Sequence, residues 1–180
     1  MKRIALTFAA LAALAALAAA SSSSSAQSTK PVSLGISAGA AIPVGDLGDD
    51  FSTGWNGTVS LGLNSVGTPL GIRFDGMYNG LSAKDGIDLP DIKIAGGTAN
   101  LVYALPGTGI RPYLIGGGGI YGLKVDVPNR DWDTKFGLNG GIGASFPLSG
   151  FNTFVEARLH HVFTDVSATQ FIPVTFGISF

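Results

Sequence analysis

Large apolar residues alternate with small or polar residues in eight separate segments of this chain. The alternation is clearest between Trp55 and Asn64 and between Phe171 and Phe180. A period of two places successive side chains on opposite faces of a β-strand, so each segment is predicted to be a strand. The eight segments span residues 32–42, 55–64, 70–79, 92–105, 110–126, 134–146, 152–163 and 171–180.

The connections between these segments alternate in length along the chain. Three are short, at 65–69, 106–109 and 147–151, and four are longer, at 43–54, 80–91, 127–133 and 164–170. An antiparallel barrel with short turns at one end and longer loops at the other produces this order. Ten of the 12 carboxylates lie in or beside the longer connections, whereas the short ones contain no charge. The pattern predicts one charged rim and one uncharged rim.

The two faces of the predicted strands differ in side-chain size. Leu, Ile, Val, Phe, Tyr and Trp dominate one face, while Gly, Ser, Thr and Asn dominate the other. A barrel of about eight strands has room for little more than side chains inside, so the small residues are predicted to face the lumen. The bulky face then contacts lipid, and tilted strands of about nine to eleven residues are long enough to cross the hydrocarbon core.

Aromatic residues near the strand ends predict the two interfaces between membrane and water. One band, near the longer loops, consists of Trp55, Tyr78, Tyr121, Phe163 and Phe171, and the other, near the short turns, consists of Tyr103, Tyr113, Phe146 and Phe180. In a soluble sandwich these residues would be ordinary core aromatics. Their separation by strand end favours a membrane barrel.

The N-terminal residues predict export from the cytoplasm. Two basic residues precede an apolar run at 4–20, and a stretch of small residues follows it up to Ala26. This is the arrangement of a secretory signal peptide, predicted at 1–26, with cleavage after Ala20 as an alternative. The barrel domain is then predicted at 27–180.

Composition narrows the class of protein further. The chain has 27 glycines and 13% charged residues, and it contains no other apolar run of helix length, which argues against a helical membrane protein. It has no cysteine, and therefore no disulfide and no thiolate metal site. A net charge of −1 gives no indication of nucleic-acid binding. No cofactor or metal site is predicted, because the aspartates at 46–50 lack the spacing of an EF-hand loop.

These features resemble those of the small eight-stranded outer-membrane barrels, a family that includes the outer-membrane protein A transmembrane domain and the opacity-type porins. The resemblance extends over 32–180, and its specific pieces are Gly39 to Asp46, Arg111 to Leu114, Phe154 to Arg158 and the final Phe180. It implies an all-β fold, an eight-stranded antiparallel up-and-down transmembrane β-barrel, in the outer membrane of a Gram-negative-type envelope.

The resemblance also implies partners. In such families, apolar or aromatic residues at the last, third-last and fifth-last positions are the signal that the barrel-assembly machinery reads, and Phe180, Ile178 and Phe176 match them. The implied partners are this machinery and periplasmic chaperones during biogenesis, followed by outer-membrane lipid and lipopolysaccharide. The protein is expected to be a monomer.

Four charged residues fall on the predicted inner face. Arg73 and Asp75 lie on the third strand, and Glu156 and Arg158 lie on the seventh. Buried charges need partners, so the four are predicted to form an ion-pair network that plugs the lumen. The alternative is a narrow porin-like channel for small solutes, although eight strands enclose little free space.

The predicted function is a structural or surface-interaction role without catalysis. Loops on a rigid scaffold carry most recognition, so a surface ligand is expected at loops 43–54 and 80–91. A lipid-modifying enzyme is the less favoured alternative, because it requires a nucleophile, a base and an orienting acid in mutual contact. Its candidate base is His161, which is predicted to face outward near Thr164 and Ser167.

Overall fold

Eight strands close into a single antiparallel barrel in chain order, with the last strand pairing back onto the first. The computed structural model describes residues 31–65, 67–107, 109–128, 131–148, 150–165 and 168–180. The strands are β1 (Val32–Val44), β2 (Gly54–Asn64), β3 (Leu70–Leu81), β4 (Ile92–Ala104), β5 (Arg111–Val125), β6 (Asp133–Pro147), β7 (Asn152–Val162) and β8 (Thr169–Ser179). A short helix, α1 (Asp46–Asp50), lies in the first long connection.

The predicted fold class is confirmed, and the strand ends agree with the predicted ones to within two residues. The signal peptide predicted at 1–26 lies outside the described residues. Among the residues that the structure does describe, no helix is long and apolar enough to cross a membrane.

The outer surface of the barrel is apolar around its circumference. Leu34 on β1, Leu101 on β4 and Ile120 on β5 are each at least 60% exposed, whereas Asn56 on β2 and Asn100 on β4 are buried in the lumen. This arrangement is the reverse of that in a soluble barrel, and it fits a wall surrounded by hydrocarbon.

Inward and outward positions alternate without interruption along the glycine-rich strands β4 and β5. Their ladder runs from the pair Ile92 and Val125 to the pair Ala104 and Tyr113. A Cβ atom added at Gly117 or Gly119, which both face the lumen, would lie against backbone atoms of β4. Glycine at these positions allows the two strands to approach closely, and no larger residue fits without a shift of the backbone.

The half of the lumen next to the long loops is filled with apolar side chains. Buried residues from six of the strands and from the first long loop form this cluster: Ala41, Phe51, Met77, Leu81, Ile94, Tyr121, Val162 and Phe171. These side chains are shielded from both lipid and water, as in the core of a soluble protein. The barrel is therefore closed at its long-loop end by hydrophobic packing.

Three of the aromatic residues predicted at the membrane interfaces are instead buried in the lumen. Tyr113, Tyr121 and Phe171 are at most 8% exposed. The prediction was wrong because the height of a residue along a strand does not set its face, which depends on the alternation of side chains. Trp55 and Phe163, by contrast, are exposed near the long-loop end.

Candidate functional site

Four charged side chains meet in the middle of the lumen. Arg73 Nη2 donates a hydrogen bond of 2.8 Å to Glu156 Oε1, and Arg158 Nη1 donates one of 2.7 Å to Asp75 Oδ2. The ring is completed by Arg73 Nε, 2.9 Å from Asp75 Oδ1, and by Arg158 Nε, 3.3 Å from Glu156 Oε1. The structure thus brings together the four charged residues singled out from the sequence, and at most 14% of any of these side chains is exposed.

Barrel topology explains why these residues meet. β3 and β7 are separated by three strands on either side of the closed wall, so they face each other across the lumen. Within each strand the two charges are two positions apart, which places both on the inner face. Two buried cations and two buried anions then offset one another, as burial of charge requires.

Two neutral side chains complete the network and were not foreseen from the sequence. Tyr113 Oη donates to Glu156 Oε2 at 2.8 Å, and Asn100 Nδ2 donates to Asp75 Oδ2 at 2.9 Å. Both stand on the glycine-rich strands β4 and β5, in which glycines interrupt the alternation of large and small side chains. The large outward residue Leu101 could have set the phase of β4, because its neighbour Asn100 must then face inward.

The charged network fills the middle of the lumen. The free space beside these side chains amounts to about 10 Å³. A single water molecule needs roughly 10–15 Å³ measured in this way, so the space does not hold a column of water.

A larger space lies between the network and the short turns. It measures about 410 Å³, and Arg73 borders it from above. Its polar lining includes Ser33, Ser60, Asn64, Arg111, Ser145 and Asn152. We call this space the short-turn vestibule. The lumen is therefore open at the short-turn end, where both polar and apolar residues line it, and closed by apolar packing at the other end.

A histidine joins the polar and apolar halves of the lumen. Tyr121 Oη and His160 Nδ1 lie 2.8 Å apart, within hydrogen-bonding distance. The ring of Phe171 stacks on the imidazole, with 4.9 Å between ring centroids and 9° between their planes. Nearby, Asn56 Nδ2 donates to Asn79 Oδ1 at 2.7 Å. The side chains above the charged ring are thus fixed by both hydrogen bonds and packing.

Loops 43–54 and 80–91 are joined to each other above the apolar cluster. Phe51 and Ala83 form an antiparallel bridge, flanked by hydrogen bonds from Ser52 N to Ser82 O and from Lys84 N to Asp50 O, each 2.9 Å long. The Lys84 ammonium donates to the carbonyl of Gly48 at 2.6 Å. We call these two joined loops the loop platform.

The loop platform has one apolar side and one acidic side. Phe51 is buried in the cluster below, and Leu47 and Ala83 pack against that cluster. Six aspartates of the platform are exposed to solvent: Asp46, Asp49, Asp50, Asp85, Asp88 and Asp91. Within the described residues, His, Cys, Asp and Glu side chains nowhere form a group of three or more suited to hold a metal ion.

His161, the candidate base of an enzymatic site, faces outward from β7 as predicted. Its Nδ1 atom lies 2.8 Å from Gln170 Nε2, and its ring packs edge-on against Phe163. The imidazole therefore pairs with an amide. Thr164 follows close by, and Ser167 lies outside the described residues.

The residues predicted to form an assembly signal lie on the outer face of the barrel wall. Phe176 and Phe180 are more than half exposed, while Ile178 between them is partly covered. Their recognition by assembly machinery stays a prediction.

A closed barrel of eight strands with an apolar exterior and a filled lumen is a small transmembrane β-barrel. Comparison with known families agrees with this class. The chain belongs to the outer membrane protein beta-barrel domain family, whose model matches residues 7–180. The predicted family and location are thereby confirmed, and the protein resides in the outer membrane.

Several solved structures share this fold. Neisserial surface protein A is 17% identical, with 83% of this chain and 96% of that chain covered and a TM-score of 0.67. A major outer membrane protein from Thermus thermophilus is 14% identical, with 84% and 99% covered and a TM-score of 0.53. The outer membrane enzyme PagL is 16% identical, with 82% and 97% covered and a TM-score of 0.52. No curated protein matches the sequence. At these identities the likeness concerns the fold alone.

Proposed function

We propose that this protein is a non-conducting outer-membrane barrel that acts by surface interaction through its loop platform. The observation that carries the proposal is the bridge between Phe51 and Ala83, which joins two loops into one surface anchored on the barrel. The long connections of such barrels face the cell exterior. The platform is thus presented to partners outside the cell.

Order in the loops supports a recognition role. A loop that must become ordered on binding loses conformational entropy, and a loop held in place beforehand avoids part of that loss. Here the burial of Phe51 and the bond from Lys84 to Gly48 hold the first long loop in place. The same contacts fix the second loop, because Lys84 belongs to it.

Charge indicates the kind of partner. The two loops together contain six aspartates and one lysine. Opposite charge on a partner speeds its approach and selects against anionic competitors. We therefore propose a cationic surface ligand, such as a basic segment of another protein.

A binding experiment tests the cationic partner. A decalysine peptide is the probe, and refolded protein is immobilised in lipid nanodiscs. The variant Asp46→Asn/Asp49→Asn/Asp50→Asn should bind roughly tenfold more weakly than the unaltered protein, as expected for the loss of three exposed charges. The matched control, Asp126→Asn/Asp131→Asn/Asp133→Asn, removes the same charge beside another loop and should retain most of the binding. Equal losses in both variants would sink the proposal.

The closed lumen supports the absence of conduction, and planar-bilayer recording tests it against the alternative of a narrow channel. The unaltered protein should show no steps in current, because the mid-lumen space is about 10 Å³. The variant Arg73→Ala/Glu156→Ala removes side chains from the charged ring and should stay non-conducting, because the apolar cluster next to the long loops still closes the lumen. Regular current steps from the unaltered protein would favour the porin-like channel, and steps that appear only in the variant would show that the charged ring alone blocks the lumen.

The likeness to PagL calls for a direct test of lipid modification, although it concerns the fold alone. His161 Nδ1 contacts the neutral amide of Gln170, and among the described residues this imidazole forms no ion pair with a carboxylate that could orient it as a catalytic base. We propose that His161 is an interfacial residue and not a catalyst. Purified protein incubated with lipid A should yield no hydrolysis product, and hydrolysis that is lost in His161→Ala would refute this.

A further inference from the structure

We propose that the outer face of β3, β4 and β5 binds one acylated, phosphorylated glycolipid of the outer leaflet. An apolar groove of about 630 Å³ lies on this face, extending from the middle of the wall toward the long loops. The groove is shallow and open toward the lipid, so an acyl chain can lie along it. The proposal concerns the barrel wall and does not depend on the loop platform. We call this feature the wall groove.

Small residues on neighbouring strands create the wall groove. Gly76 on β3 pairs with Gly97 on β4, and Ala95 on β4 pairs with Gly122 on β5, so four adjacent outward positions carry almost no side chain. Bulky side chains rise beside this floor: Val59, Tyr78 and Ile120. A cleft between such ridges contacts a linear hydrocarbon chain on several sides, whereas a smooth wall contacts it on one. Each additional contact adds dispersion attraction.

Aromatic side chains mark the end of the wall groove nearest the long loops. The Tyr78 ring stacks on Trp55 with 5.5 Å between centroids and meets Trp132 edge-on at 6.4 Å. Trp and Tyr concentrate at the boundary between hydrocarbon and headgroups. The upper end of the groove therefore lies at the level of lipid headgroups in the outer leaflet.

Two lysines at this level supply the charge that a phosphate requires. Lys93 and Lys124 are direct neighbours across β4 and β5 and lie on the outward positions of both strands. Lys93 Nζ contacts Asp126 Oδ1 at 2.8 Å, and the nearby carboxylate of Asp91 accepts hydrogen bonds from Ser82 and from the backbone of its own loop. Among the ion pairs of the described residues, none involves Lys124.

Like charges directly opposite each other destabilise a sheet unless an anion offsets them. Asp126 neutralises one lysine of the pair, which leaves Lys124 to attract a further anion. A lipid phosphate at headgroup level satisfies this charge while its acyl chain occupies the wall groove. The wall groove and the charge of Lys124 together favour a ligand that has both an acyl chain and a negative charge. Lipid A is the lipid of the outer leaflet that has both.

Native mass spectrometry of the refolded protein tests the lipid class. The probes are bisphosphorylated lipid A, the same lipid without its phosphates, and phosphatidylglycerol. One lipid A should remain bound through release from detergent, and the dephosphorylated form should be retained about two- to fivefold less, as expected for an exposed ion pair. Equal retention of all three lipids, or retention of none, would overturn the proposal.

Substitutions test the position of the site. Gly97→Leu fills the groove, and a Cβ atom at this position meets nothing within 4 Å, so the wall is not strained. Gly140→Leu is the matched control, since Gly140 also faces outward, lies outside the groove and would bring its Cβ no closer than 3.9 Å to another residue. Gly97→Leu should reduce lipid A retention about fivefold or more, and Gly140→Leu should not.

A charge variant provides a second test that leaves the groove unfilled. Lys124→Gln should lower the retention of lipid A to the level of the dephosphorylated lipid. Lipid A retention that is unchanged in both Gly97→Leu and Lys124→Gln would refute the site. A dimer of the unaltered protein that becomes a monomer in Gly97→Leu would also refute it, because the groove would then be an interface between two copies of the chain.

Discussion

Arg73 and Glu156 lie 83 positions apart in the sequence, yet a hydrogen bond of 2.8 Å joins them across the lumen. One stands on β3 and the other on β7, on opposite walls of the barrel. Pairing of neighbouring strands does not by itself bring these two residues together. Their contact requires the closed barrel. The contribution of this hydrogen bond to the free energy of unfolding therefore reports on closure of the barrel wall.

Glu156→Gln is expected to lower the free energy of unfolding by about 3–5 kcal/mol, because it leaves two buried guanidinium groups with one carboxylate. Urea unfolding in lipid vesicles, followed by tryptophan fluorescence, measures the change. The control Asp165→Asn breaks the pair with Lys135, in which Asp165 is 86% exposed, and should cost no more than about 1 kcal/mol. Similar losses of unfolding free energy in both variants would show that the buried lumen network stabilises the barrel no more than an exposed ion pair does.

Phe171→Ala should destabilise the barrel by roughly 3–5 kcal/mol, since it leaves a cavity in the apolar cluster and removes the ring stacked on His160. Tyr121→Phe keeps the packing and removes only the hydroxyl that contacts His160, so its cost should be smaller, about 1–3 kcal/mol. The temperature at which the folded band disappears on unboiled gels ranks the variants. A Phe171→Ala protein as heat-resistant as the parent would contradict closure by packing.

Gly119→Ala should greatly reduce the yield of folded barrel, because its Cβ would overlap the Gly97 carbonyl oxygen and the Thr98 backbone. Gly97→Ala, on the outer face, should fold like the parent, since a Cβ there meets no neighbour within 4 Å. The fraction that migrates as folded protein after refolding measures both. Equal yields would show that close approach of β4 and β5 is not needed for folding.

Backbone amides of Ser52 and Lys84 should exchange slowly with solvent deuterium, because each donates a hydrogen bond between the two platform loops. Phe51→Ala removes the buried anchor of the bridge and should bring both amides to the fast exchange typical of mobile loops. Exchange that is already fast in the parent protein would show that the loops are not held together.

The barrel was predictable because its exterior obeys a simple rule. Outward residues such as Leu34, Val59 and Ile172 are large and apolar, so a period of two identified every strand and, outside the glycine-rich strands β4 and β5, its lipid face. The four charged lumen residues stood out for the converse reason, since they interrupt faces composed of small side chains. Local alternation therefore carried most of the fold.

The apolar closure was not predictable by the same rule. Met77, Leu81 and Ile94 face inward although they are as apolar as the lipid-facing residues, because the loops above them exclude water from that end of the lumen. Their environment depends on loop contacts such as the bridge between Phe51 and Ala83, which join residues far apart in the sequence. Alternation predicts whether a residue faces the lumen or the outside of the barrel. It does not predict whether water, lipid or other side chains surround that residue.

The vestibule beneath Arg73 and the hydrophobic closure above it make the protein asymmetric across the membrane. A small polar reagent that cannot cross lipid should reach Arg73 from the periplasm and not from the cell exterior. The open part of the lumen is thus in contact with the periplasm, although the acidic loops of the same chain face the cell exterior. Water in the periplasm therefore contacts the short-turn vestibule, whereas water outside the cell contacts the loop platform.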